Sequence, residues 1–401
     1  MSKGQVLITG IGVVTKHGDL EHTWTAAEMR HTKPAPARAS RGYQLENYQV
    51  LELQIETGQE TVPGIDDNTD PTVRHAVVAG GRAAADAGLA AKQIDKFRAG
   101  VFVGSSRGTE WTRTRYQESL AKGESLPEDA CLRTMFSAAA VALGNRLGFR
   151  GPNITHSSTC ASSALAIIVA CQYLKAGLID VAVAGGTESC LTPAYIRQTA
   201  TLGILSRTVC RPFDVARDGT WLGEGAAFFI LESREHAVRR GAKAKAILAG
   251  ASTACDGAVK GNDRRGETLE WTIRDAITNA GLVPSAISSI SAHAPGTRIG
   301  DALEARALQR VFAENLSRIQ VNSLKPVTGH CVGASASIET ALTIHGMSKG
   351  LFLPTAMTEN VDPSLHLNVP LVPEPLRGDA ILKTCSGLGG IHSALVLTYP
   401  D

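Results

Sequence analysis

The chain has 401 residues, 43% of them hydrophobic and 19% charged, and a formal net charge of +2. This composition belongs to a globular protein with room for two or three domains, or for one large fused pair. The near-neutral charge and the lack of any Lys/Arg block argue against nucleic acid as a partner, and no apolar run reaches the roughly 20 residues of a membrane span.

Met1–Gly4 lead straight into an apolar run with no signal-like segment. Cysteines 131, 160, 171, 190, 210, 255, 331 and 385 lie singly, without CxxC or metal-ligand spacing, so free thiols in a reducing cytoplasm are expected. Residues 5–14 read as a buried strand turning at glycines. Gly10 and Gly12 resemble part of a dinucleotide loop, but the third glycine and the long following helix are missing. Helical periodicity covers 72–88, a strand 99–104 and a helix 134–147. Ser157-Ser158-Thr159-Cys160-Ala161-Ser162-Ser163 then opens an apolar helix closed by Lys175-Ala176-Gly177, and a central strand follows at 180–186.

A charged helix end at 235–241 precedes a renewed apolar pattern at 245–252, which divides the chain into halves 1–242 and 243–401. In the second half Ser288–Ala292 reads as a strand, 303–313 as a helix and 320–323 as a strand. Gly329-His330-Cys331-Val332-Gly333-Ala334 then opens a long helix running to Lys349-Gly350. The helices begun at Cys160 and His330 match in length and in their small-residue openings. They suggest duplicated halves whose helix starts converge, in an α/β fold with mostly buried sheets.

A cysteine at a helix start faces unpaired N–H groups and the positive end of the helix dipole, which favours the thiolate that a nucleophile needs. The same residue also reads as a small buried hydrophobe. Three glycine-rich loops at strand ends carry the other reactive groups: Ala292-His293-Ala294-Pro295-Gly296-Thr297, Lys325-Pro326-Val327-Thr328-Gly329-His330 and Cys385-Ser386-Gly387-Leu388-Gly389-Gly390. Such loops are where α/β proteins place their sites. Two histidines there, with a helix-start cysteine, make a stronger case together than singly.

Taken in order, Thr9–Val14, Thr159–Ser163, Ala184–Glu188, Arg211–Asp214, Arg217–Gly219, Gly223–Ala226, His293, Lys325, Gly329-His330 and Gly387–Gly390 resemble the elongating 3-oxoacyl-(acyl-carrier-protein) synthases. These are the ketosynthases of fatty-acid and polyketide assembly. The resemblance implies a five-layer αβαβα thiolase-like fold with two duplicated halves. It implies Cys160 as acyl-accepting nucleophile, His293 and His330 as the pair promoting malonyl decarboxylation, and Lys325 and Glu339 as the charged residues that support His330. The backbone N–H groups of Cys160 and Leu388 would form the oxyanion hole, and Thr297 would touch the phosphopantetheine arm. No metal or organic cofactor is expected, because the pantetheine arrives on an acyl carrier protein. A homodimer, or a heterodimer with a related ketosynthase-like subunit, is the implied assembly.

Each role has a plainer counterpart. Lys325 and Glu339 also read as a surface pair worth under ~1 kcal/mol, Arg211–Ala226 as a structural turn, and Glu188 and Asp301 as ion-pair or capping residues. The chain departs from the family at Ala294-Pro295, where Gly-Thr is usual, and at Leu388, where Phe is usual. Asp66–Asp70 is acidic where many relatives are basic, which would move carrier docking toward Arg107, Arg113 or Arg197. Trp111 lies in an unusual 105–135 region. These departures lean toward specialised polyketide or polyene synthesis. Two alternatives stand: a coenzyme-A-dependent thiolase with Cys385 as its second cysteine, and a chain-length-determining partner subunit. Such subunits usually lack the nucleophile that this chain has, which would make it the catalytic member of any heterodimer.

Overall fold

The computed structural model describes residues 4–37, 45, 47–53, 65–66, 68–89, 94–257 and 265–400. Asp67 of the acidic segment lies outside them. Ten strands form one hydrogen-bonded series. In the first half these are β1 (Val6–Thr15), β2 (Ala99–Gly104), β3 (Asn153–His156), β4 (Val181–Glu188) and β5 (Gly225–Ser233). In the second they are β6 (Ala246–Cys255), β7 (Ile287–Ser291), β8 (Gln320–Asn322), β9 (Ala380–Gly387) and β10 (Ile391–Thr398).

The first five strands lie in the order β1-β5-β4-β2-β3 and the second five in the order β6-β10-β9-β7-β8. Within each half the sequence of pairings is also the same, antiparallel twice and then parallel twice. Two identical orders with identical senses are the mark of an internal duplication. The halves join where Val6–Ile8 of β1 pair with Ala246–Leu248 of β6.

Helices α1 (Pro71–Asp86) and α2 (Ala138–Leu147) cover one outer face. Helices α4 (Glu267–Asn279) and α5 (Arg298–Phe312) cover the other. Between the two sheet halves lie α3 (Ser162–Lys175) and α6 (Ser335–Lys349), whose apolar residues share one core with strands of both halves. The result is the five-layer αβαβα arrangement. A helix enclosed by sheets has no solvent face, which explains why α3 reads as a continuous apolar run without a polar stripe.

Gly10 and Gly12 sit inside β1, not in a nucleotide loop. A Cβ on Gly12 would lie 2.0 Å from the Ala79 carbonyl oxygen and one on Gly10 2.2 Å from that of Ala83, so both glycines let α1 approach the sheet. Gly12→Ala should therefore lower unfolding stability by about 1–3 kcal/mol, as over-packing does; a urea midpoint equal to the parent's would refute this close approach.

Two helix boundaries differ from expectation. The helix expected over 134–147 begins only at Ala138, and the short turn Ala130–Arg133 lies before that range. Phe136, before α2, lies under the Arg113 guanidinium, its ring centre 5.5 Å from the guanidinium carbon. The second long helix begins at Ser335, so His330 lies five residues before it, on a segment bridged to Leu222.

Candidate active site

Cys160 lies two residues before α3 and is 6% exposed. Thr159 before it has φ +49°, a left-handed conformation that costs a β-branched residue of order 1–3 kcal/mol. Its hydroxyl donates to the Leu388 carbonyl at 3.1 Å, which ties this elbow to the Gly387–Gly390 turn. The second half repeats the strain, with Val332 at φ +41° three residues before α6, as Thr159 is before α3.

The His330 Nε2 is 3.1 Å from the Cys160 Sγ, and its Nδ1 is 2.8 Å from the Ser335 hydroxyl. The His293 ring stands 5.4 Å from the His330 ring, at 77° to it. Cys160, His293 and His330 thus converge, the Cys160 Sγ and one ring nitrogen of each histidine lying within 4.8 Å of one another. Among the described residues this is the group that could hold a metal ion.

Burial, then the Lys325 charge, holds both imidazoles well below their ordinary range. They are neutral at physiological pH, so each has one N–H to donate and one nitrogen to accept. Unfolded imidazoles bind protons near pH 6.5 and these folded ones do not. The pair therefore costs stability as pH falls below about 6.5.

The helix-start expectation for the thiol is corrected by burial. Desolvation pushes the Cys160 thiol up to about 11, against the opposing pull of the Leu388 N–H and Lys325. The helix dipole does not by itself produce a thiolate at neutral pH, and the proton must leave to a base, for which the His330 Nε2 is placed. Alkylation of Cys160 by iodoacetamide should accordingly climb about tenfold per pH unit from pH 7 to 10. A plateau near the ordinary thiol value of about 8.5 would contradict this.

Behind the histidines is a buried charge network. Lys325, fully buried, bonds Glu339 at 2.7 Å and the His293 carbonyl. Burial opposes the Lys325 charge, but Glu339 outweighs it and holds the ammonium above its usual value. The reading of Lys325 and Glu339 as a surface pair is thereby corrected, since neither reaches solvent. Lys383, which the sequence reading missed, bonds the other Glu339 oxygen and the carbonyls of Ser291 and Ala292 at 3.3 and 3.2 Å. A lysine inside the apolar strand Ala380–Cys385 was the signal available for it.

Glu304, also missed, accepts from the His293 and Ala294 N–H groups at 2.9 and 2.7 Å and fixes that loop. Residues 4–237 match the model of the beta-ketoacyl synthase N-terminal domain and residues 245–359 that of its C-terminal domain.

The chain belongs to the beta-ketoacyl synthase family.

Its relatives include the chloroplastic 3-oxoacyl-[acyl-carrier-protein] synthase I of Hordeum vulgare, 33% identical over 84% of this chain and 75% of the relative. Among solved structures, a type II polyketide acyl-carrier protein in complex with its ketosynthase bound to the hexaketide superposes with a TM-score of 0.89. That similarity is at 26% identity over the whole of both chains. The ishigamide ketosynthase/chain length factor shares the fold, with a TM-score of 0.91 at 24% identity over both chains in full.

Other expected residues of this ketosynthase fall as follows. Of the two backbone N–H groups expected for the oxyanion hole, that of Leu388 is the larger pull against the rise of the Cys160 thiol, and that of Cys160 adds a smaller one. Thr297 caps α5, its hydroxyl accepting from the Gly300 N–H at 3.2 Å while its own proton stays available to donate. Glu188 accepts from the Ser105 hydroxyl and from the N–H groups of Ser106, Arg107 and Gly333, which clamps the first half onto the His330 segment. Burial pushes its carboxyl up to about 7.

Asp301 accepts from the Phe213 and Gly296 N–H groups, so the Arg211–Ala226 segment buttresses the His293 loop. Trp111 hydrogen-bonds the buried Glu224. Cys160 borders an apolar cluster of Cys190, Leu191, Tyr195, Ile196, Leu205 and Val332. Of the arginines considered for carrier docking, Arg107 stacks on Tyr195 at 4.6 Å and Arg113 pairs with Glu110.

Proposed function

We propose that this ketosynthase performs a decarboxylating Claisen condensation, joining an acyl group held on Cys160 to a malonyl unit on an acyl carrier protein. The observation that carries the reading is the 3.1 Å contact between Cys160 and His330, with His293 facing the same point.

The first half-reaction is acyl transfer. Cys160 gives its proton to the His330 Nε2 as its sulfur attacks the incoming thioester carbonyl. The Cys160 and Leu388 N–H groups steady the tetrahedral oxyanion, and the departing carrier thiolate takes the proton from His330. Ser335, whose hydroxyl both donates and accepts, satisfies the His330 Nδ1 in either tautomer.

The second half-reaction is decarboxylation and condensation. The malonyl C–C bond to its carboxylate breaks, CO2 leaves, and the electron pair forms an enolate. Imidazole N–H groups of His293 and His330 stabilise its oxygen, each worth about 3 kcal/mol if aimed as an oxyanion donor is. The enolate carbon attacks the acyl–Cys160 carbonyl, a C–C bond forms, the C–S bond breaks, and the Cys160 thiolate is released beside the 3-oxoacyl product.

The acyl chain would lie against the apolar cluster beside Cys160. In this reading no resident metal or organic cofactor takes part, since the two imidazoles supply the electrophilic stabilisation. Enzyme treated with a strong chelator should keep its full turnover; a loss reversed by a metal ion would reverse that statement.

The carrier protein is the expected partner, supported by the ketosynthase–carrier complex among the structural neighbours. A homodimer, or a heterodimer with a ketosynthase-like chain, is the expected assembly, the latter supported by the ketosynthase/chain-length-factor fold match. A cytoplasmic site of action fits the eight free cysteines. Among the described residues no helix is long and apolar enough to cross a membrane. The thiolase alternative is disfavoured by Cys385. Its Sγ donates to the Cys160 carbonyl at 3.1 Å and lies 3.9 Å from the His293 Nδ1, and burial pushes its thiol up to about 12, so at neutral pH it holds its proton instead of taking one. The direct assay is condensation of acyl- and malonyl-carrier thioesters, with CO2 and 3-oxoacyl product expected in equal amounts. Product without CO2 would favour thiolase chemistry.

A further inference from the structure

A second hydrogen-bonded chain lies beside the site and takes no part in the mechanism above. The Ser386 hydroxyl is 2.8 Å from the His392 Nδ1, and the His392 Nε2 is 3.0 Å from Asp256 Oδ1. The Asp256 side chain is 3% exposed and that of His392 13%. Ser386 and His392 are a directly opposed pair on β9 and β10, and Asp256 follows β6. Three strands are thus joined at the foot of the Gly387–Gly390 turn, which presents the Leu388 N–H to Cys160.

A Ser–His–Asp chain invites a reading as a second nucleophile, but the strand geometry argues otherwise. Side chains alternate across a strand. Cys385 faces Cys160, its Sγ 3.1 Å from the Cys160 carbonyl, and Gly387 packs on Thr159. Ser386, between them, points to the opposite face of the sheet. The route from this chain to the Leu388 N–H runs through the backbone of the turn, while His392 also acts through space on His293.

The turn needs outside support. Gly389 and Gly390 have φ of +93° and +77°, and glycine loses more freedom than any other residue when held in one conformation. Three contacts restrain it. The Asp256 N–H donates to the Gly390 carbonyl at 2.9 Å, the Gly390 N–H donates to that of Gly387 at 3.1 Å, and the Leu388 carbonyl is held by Thr159. The Asp256 carboxylate is also packed so closely on Gly390 that a Cβ there would lie 2.3 Å from Oδ2. His392 anchors that carboxylate from one side and Ser386 anchors His392 from the other.

We propose that Asp256, His392 and Ser386 are positioning residues that hold the Gly387–Gly390 turn so that the Leu388 N–H is aimed at the oxyanion of the acyl-transfer step. The inference rests on the oxyanion assignment made under the proposed function. It predicts a selective defect: acyl transfer suffers, while enolate formation, which uses His293 and His330, does not.

The test measures two rates in Ser386→Ala and His392→Leu. Single-turnover acylation of Cys160 is followed by quenched-flow mass spectrometry, and malonyl decarboxylation is followed in a Cys160→Ala background. Acylation should fall about tenfold, a fraction of the 10²–10³ lost when an oxyanion donor is removed outright. Decarboxylation should stay within about twofold, and KM for the acyl donor should not change. His392→Gln, whose amide keeps one acceptor and one donor, should recover most of the acylation rate. Unchanged acylation in both variants overturns the inference, as does an equal fall in both rates. A parent enzyme that never acylates Cys160 would instead refute the underlying site assignment, which separates the two failures.

Discussion

Cys160→Ala is expected to abolish condensation, by at least about three orders of magnitude, while malonyl-carrier decarboxylation persists. The two functions separate because they use different groups. The sulfur is needed to hold the acyl chain, whereas the enolate oxygen needs only the N–H groups of His293 and His330, whose rings stand 5.4 Å apart. His293→Ala should do the reverse, with decarboxylation lost and acyl transfer to Cys160 retained, since the 3.1 Å Cys160–His330 contact does not involve it. Both rates are read from one incubation, as released CO2 and as acyl mass on the protein. Normal condensation by Cys160→Ala would remove this residue from the nucleophile's role.

Glu339→Ala should destabilise the fold by about 3–5 kcal/mol, the usual cost of stranding a buried charge, and here two are stranded. Lys325 and Lys383 are both essentially inaccessible, and both bond the Glu339 carboxylate. Water cannot reach the ammonium groups to compensate. Thermal unfolding should show a drop of several degrees, and surviving folded enzyme should decarboxylate poorly, because Lys325 also holds the His293 carbonyl. Joint replacement of Lys325 and Lys383 by Met with Glu339 by Leu should recover much of the stability but not the activity, because it removes all the charges together. A midpoint for Glu339→Ala unchanged to within about 1 °C would show that the network carries no such energy.

The sequence revealed the duplication because each half has an apolar helix following a small-residue opening, at Ser162 and Ser335, and these pack together at the centre. The converging reactive residues were legible for a related reason. His293 and His330 sit in glycine-bearing loops at strand ends and Cys160 at a small-residue helix start, and the family motifs fix their order. Less legible was anything that depends on what lies across a gap. Glu304 reads as one more charge on an amphipathic helix, and only the folded loop shows it accepting from His293 and Ala294.

The thiol was misjudged for a similar reason. Helix-start placement is visible in sequence, but the desolvation that outweighs it arises from neighbours such as Tyr195 and Val332, far apart in the chain. The helical pattern expected from 134 begins only at Ala138, with turns over 134–137. Asp256 and His392 gave no sequence signal, and Ser386 stood out only as part of the Cys385–Gly390 loop, since strand pairing alone makes the three neighbours.

The most direct test is intact-protein mass spectrometry after incubation with a panel of acyl-carrier-protein thioesters, with Cys160→Ala as control. The expected result is one acyl-sized mass gain on the parent chain and none on the variant, which would fix the nucleophile and identify the preferred chain length together. An equal gain on the Cys160→Ala variant would contradict the assignment of Cys160, and a gain only from coenzyme A thioesters would contradict the carrier-dependent condensation.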